Sequence, residues 1–168
     1  MTSLAATSHD DAYVRLAASR PLRADPDRVA AIIGPEASTW LGAPVGGHQP
    51  NAQARHAIDL RLRVGGEDAA LTTFRKAAFL DLGTPVRVPG GWEVEIGWRA
   101  SWAAPLFPVF SGRMRVGPRE IAIEGLYAPP GGVLGRVADR LLLHVAANGT
   151  ARWLLDEIDR VAREPAAA

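Results

Sequence analysis

Residues 131–163 most constrain how this chain folds, because they carry one long amphipathic stripe. Leu134, Val137, Leu141, Ala151, Leu155, Ile158 and Ala162 recur three or four apart, the spacing of one helix face. Arg136, Asp139, Arg140, Asp156, Asp159, Arg160 and Arg163 are expected mostly off that stripe, with Asp156 and Arg160 in the favourable i,i+4 order. Pro129, Pro130, Gly131 and Gly132 punctuate the start, and Pro165 lies just past the end, where a proline stops a helix. About thirty residues at ~1.5 Å each span about 45 Å, enough to cross a whole sheet. Asn148-Gly149 is a turn signal, but the stripe keeps its phase across it, so one helix is expected. His144 and Asn148 interrupt the stripe. Either local protein partners satisfy them, or they are the polar contacts of a cavity under the helix.

A helix of this kind needs an apolar surface to cover, and the preceding residues supply it. Residues 13–22 read as a first strand. Asp25-Pro26 opens a helix with a capping carboxylate and a proline at the first position, and residues 35–41, with Trp40, form a second short one. Residues 42–51 read as a loop. The period then changes to two. His56, Ile58, Leu60, Leu62 and Val64 share a face, and Gly65-Gly66 makes a turn. Residues 71–82 follow as a strand with Phe74, Ala78, Leu80 and Leu82 on one side. Lys76 falls on that same side, which a bulge or an exposed strand end would explain. Residues 92–102 are the clearest strand: Trp92, Val94, Ile96, Trp98, Ala100 and Trp102 alternate with Glu93, Glu95, Gly97, Arg99 and Ser101. Residues 107–116, whose inward parity Pro105 and Pro108 obscure, and residues 119–127 complete the set. Short turns favour antiparallel pairing.

The expected fold is α+β: a curved antiparallel sheet wrapped around a long C-terminal helix, with two short helices after the first strand. One domain is expected over residues 12–164, with disordered tails at 1–11 and 165–168. The space between sheet and helix is where a ligand would go.

This order resembles the helix-grip superfamily, also called START-like or SRPBCC, which includes polyketide cyclases, lipid-transfer domains and coenzyme-Q-binding proteins. The local match is Tyr127-Ala128-Pro129-Pro130-Gly131-Gly132-Val133-Leu134-Gly135 followed by Ala138-Asp139-Arg140-Leu141-Leu142-Leu143. The resemblance implies a cavity for a hydrophobic or amphipathic small molecule such as a lipid, quinone or polyketide-like compound. It also admits a cyclase or dehydratase acting in that cavity, with His144 as acid or base, or an interaction domain with a vestigial cavity. Trp40, Trp98, Trp102, Phe110, Met114, Tyr127 and Leu141 are the expected wall, and His56, His144 and Asn148 the expected polar contacts. Trp98 and Trp102 are core residues in most proteins with this pattern and become wall only if the sheet is as curved as the resemblance implies.

Composition narrows the chemistry. The net charge of +1 implies no strong attraction to nucleic acid or to a membrane surface, and Lys76 is the single lysine. With no cysteine, disulfides and thiolate chemistry are excluded. No phosphate-binding glycine loop, nucleophile elbow or carboxylate pair is visible, and the four histidines lack paired metal spacing. Binding is therefore expected rather than catalysis, with no metal and no cofactor. A hydrophobic small molecule is the expected partner, without nucleic acid or an integral membrane segment, and a homodimer stays open. The 168 residues show no signal-peptide core, so a cytoplasmic protein is expected.

Overall fold

In the computed structural model, residues 13–46, 54–64, 72–100, 109–128 and 138–164 are described. The predicted tails, Trp102 and the predicted first turn of the last helix lie outside them. Strand β1 (Val14–Pro21) leads into helices α1 (Pro26–Ile33) and α2 (Ala37–Leu41). Six strands follow: β2 (Ala54–Val64), β3 (Thr72–Leu82), β4 (Val86–Val88), β5 (Gly91–Ala100), β6 (Val109–Val116) and β7 (Glu120–Ala128). Helix α3 (Ala138–Arg163) closes the chain.

The strands form one antiparallel sheet in the order β1-β7-β6-β5-β3-β2, with β4 paired to β5. Strand β4 was not anticipated. Three residues between Pro85 and Pro89 are too few to show a period. Gly90, with φ of 89°, makes the tight turn into β5. Pairing of β2 with β3 runs one to one through Lys76 opposite Leu60, so there is no bulge. Lys76 instead falls where β3 runs beyond its described pairing with β5, which ends at Ala78. The parity of β6 is settled: Phe110, Met114 and Val116 are buried, while Val109, Ser111, Arg113 and Arg115 face out.

Helix α1 forms for the predicted reason. The Asp25 carboxylate accepts the N–H groups of Asp27 at 2.8 Å and Arg28 at 3.2 Å, and Pro26 opens the first turn. Val29, Ile32 and Ile33 on its inner side are fully buried.

Helix α3 runs unbroken through Asn148 and Gly149. Its buried face carries Ala147, Ala151, Leu154, Leu155, Ile158 and Ala162. Each large member contributes about 1.5–3 kcal/mol by leaving water. Among the described residues α3 comes closest to β1 and β2, the two edges of the sheet, and to α1. A helix that meets both edges of one sheet lies in a trough, with the central strands as its floor.

Two charges depart from expectation. Asp159, placed off the stripe by sequence, is fully buried. It accepts the backbone N–H of Arg23 at 3.0 Å and of Ala24 at 3.2 Å, tying α3 to the link between β1 and α1. Its second carboxylate oxygen has no aligned hydrogen bond but sits 3.3 Å from Arg163 and 3.5 Å from Arg20. Asp156 does not pair with Arg160. It pairs with Arg20 on β1, and Arg160 turns to Glu157 and Glu164. The tertiary cation displaces the local one because an exposed i,i+4 pair is worth only a few tenths of a kcal/mol.

Candidate functional site

The sheet register assembles a single inward row from five strands. Tyr127 lies opposite Phe110, Phe110 opposite Trp98, Trp98 opposite Leu80, and Leu80 opposite His56. Val14 extends the row beyond Tyr127. From Tyr127 to His56 every member is at most 2% exposed. Three aromatic rings thus stand side by side on the floor of the trough, with an imidazole at the β2 edge.

The rings are positioned by their neighbours. Trp98 and Phe110 are stacked, with centroids 3.9 Å apart and planes 18° from parallel. Such a pair adds about 0.5–1.5 kcal/mol beyond area burial. The Phe110 ring also reaches over Gly112 and Gly125, which face one another on β6 and β7. A Cβ on either glycine would lie 2.6 or 2.7 Å from the ring tip and would meet the backbone of the other strand. The glycine pair therefore lets the strands approach closely and gives the ring its place.

His56 is held at one nitrogen. Its Nδ1 lies 2.9 Å from the carbonyl oxygen of Gly42, just after α2, and Val45 N–H donates to Arg55 O on the same strand edge at 2.7 Å. His56 Nε2 and Trp98 Nε1 are buried with no hydrogen-bond partner among the described residues. The Thr150 hydroxyl, buried on α3, is in the same condition. Each such group costs about 1–3 kcal/mol if left unmet. Polar groups at that cost are the feature that separates this row from a plain core.

Of the other candidates, Met114 and Trp40 lie off this row. Met114 is fully buried but lies opposite Val94 and Ile123, four residues along β6 from Phe110. Trp40 is half-buried, and its indole donates to Ile32 O at 2.8 Å. It borders a groove of about 440 Å³ between α2, β2 and α3 that also involves Trp153 and Arg160. Asn148 is half-buried on α3. Leu141 and His144 belong to α3 by backbone, and their side chains, like all of Trp102, lie outside the described residues. Thr150 was missed because a lone threonine among alanines carries no periodic signal.

Among the described residues, no group of three His, Asp or Glu side chains is placed to hold a metal ion. No helix there is long and apolar enough to cross a membrane.

The strand order, the two short helices after β1 and the long helix along the trough have a counterpart among solved structures. The crystal structure of Ara h 8.0201 matches with a TM-score of 0.50 at 9% identity, over 89% of this chain and 97% of that one. The chain has the helix-grip fold. Two further matches are the Zhui aromatase/cyclase from Streptomyces sp. R1128 and protein CV1439 from Chromobacterium violaceum. The first has TM-score 0.45 and 11% identity over 93% of this chain and 97% of that one. The second has TM-score 0.44 and 16% identity over 88% and 97%. No protein-family model and no curated protein matches the sequence. The resemblance read from residues 127–143 thus holds for the helix-grip fold, in which sheet and C-terminal helix face one another as they do here.

Proposed function

We propose that the protein binds a hydrophobic or amphipathic small molecule between the inner face of its sheet and α3. The observation that supports this most is the buried row of Trp98, Phe110 and Tyr127 ending in His56, with two ring nitrogens on it unpartnered among the described residues. A filled core has no use for buried polar groups that cost free energy, whereas a ligand offering polar atoms meets them. Trp98, Phe110 and Tyr127 serve as the wall, with His56 as the principal polar contact. The sequence adds Leu141, His144, Asn148 and Trp102 to the proposed contacts. Met114 and Trp40 support the scaffold instead.

Native mass spectrometry of gently purified protein tests this reading. A small apolar or amphipathic compound should fly with the protein and be lost on denaturation. After its removal, an apolar fluorescent probe should bind with one-to-one stoichiometry. Protein that carries no compound and binds no such probe would contradict the proposal.

A further inference from the structure

The two unpartnered nitrogens on the inward row are not alike, and their difference specifies a ligand. A carbonyl oxygen can only accept, so the 2.9 Å contact with Gly42 O requires the proton on His56 Nδ1. In the neutral ring Nε2 is then a bare lone pair, an acceptor. The Trp98 indole N–H can only donate. One buried acceptor and one buried donor therefore stand on the same row, with only Leu80 between them in the register. Beside them Trp98 and Phe110 offer stacked rings.

Resting on the ligand-binding reading above, we infer that the ligand is a flat aromatic molecule bearing a hydroxyl group, which donates to His56 Nε2, and an oxygen that accepts from Trp98 Nε1. A hydroxyl oxygen or a neighbouring carbonyl fills the second role. An alkyl chain or a bare hydrocarbon satisfies neither nitrogen. A carboxylate satisfies Trp98 but presents charge and no donor to the His56 lone pair. The Thr150 hydroxyl can turn to either role and does not discriminate.

Three matched probes test the inference: naphthalene has neither polar function, 2-methoxynaphthalene only accepts, and 2-naphthol donates and accepts. Equilibrium dialysis gives their affinities for the wild type and two variants. Trp98→Phe keeps an aromatic ring and removes the donor. His56→Asn keeps an N–H for Gly42 O and takes away the acceptor at the Nε2 position, which the shorter amide does not reach. Each hydrogen bond should be worth up to about tenfold. The preference for 2-methoxynaphthalene over naphthalene should collapse in Trp98→Phe. The preference for 2-naphthol over 2-methoxynaphthalene should collapse in His56→Asn. Ratios unchanged by both variants would overturn the inference while leaving the ligand-binding reading intact. Failure of all three probes to bind would overturn both. The wild type alone also decides, whether or not the variants fold: saturation with 2-naphthol should shift the 15N resonance of His56 Nε2 from a free toward a hydrogen-bonded lone pair. An unmoved resonance refutes the assignment.

Discussion

The edge of the Phe110 ring occupies the space that a Cβ on Gly125 would need, 2.7 Å from that position. The same Cβ would stand 2.4 Å from Ser111 O and 2.6 Å from the Gly112 Cα, so neither strand nor ring has room to give. Gly125→Ala should therefore cost about 1–3 kcal/mol, as overpacking does. It should also weaken probe binding, because the displaced ring disturbs the stack on Trp98. Urea unfolding midpoints beside a probe titration check both, and an unchanged midpoint would show that the close approach is not needed.

Asp159 fastens the far end of α3. Removing its carboxylate strands two backbone N–H groups and leaves Arg20 and Arg163 without their shared anion. Asp159→Ala should lose about 3–5 kcal/mol, the range for breaking a buried charged contact. Asp159→Asn should lose less, because an amide oxygen still accepts from Arg23 and Ala24. Equal midpoints for Asn and Ala would place the whole effect in the charge.

A smaller electrostatic effect lies between α1 and β5. The Trp92 indole donates to the Asp27 carboxylate at 2.8 Å and Arg87 adds its charge, which together hold the Asp27 pKa below the ordinary 3.8. A folded-state value below the unfolded one stabilises the fold above the unfolded pKa. That contribution disappears as pH falls through the lowered folded value. Carboxyl NMR titration should find Asp27 below 3.8, and Trp92→Phe should raise it toward 3.8. An Asp27 titration unaltered by Trp92→Phe would count against the contact.

Period-two alternation exposed β5, and with it the inward placement of Trp98, because one face of that strand is wet and the other dry. The same alternation put His56 inward on β2. Helix α1 was readable from Asp25-Pro26 since a cap is a local device. The burial of Asp159 was not, because its backbone partners lie 135 and 136 residues away in the chain. Asp81 hid for a similar reason. It looks like an outward charge, yet Arg55 forks onto it at 2.6 and 3.2 Å and Arg99 approaches at 3.5 Å, which shields it on the outer face. The row itself is a property of register. Sequence places Trp98 and Tyr127 each on a face but leaves the parity of Phe110 open, obscured by Pro105 and Pro108, and only the pairing of β5, β6 and β7 sets the three side by side.

The indole N–H resonances test the central claim most directly, since the described tryptophans differ in what their N–H groups touch. Trp40 donates to Ile32 O and Trp92 to Asp27, whereas Trp98 is buried without a partner among the described residues. In a 1H–15N correlation spectrum titrated with 2-naphthol, the Trp98 indole peak should move far more than those of Trp40 and Trp92. A Trp98 peak that stays still while Trp40 and Trp153 move would place the ligand in the groove beside α2, and would contradict a binding site between the sheet and α3.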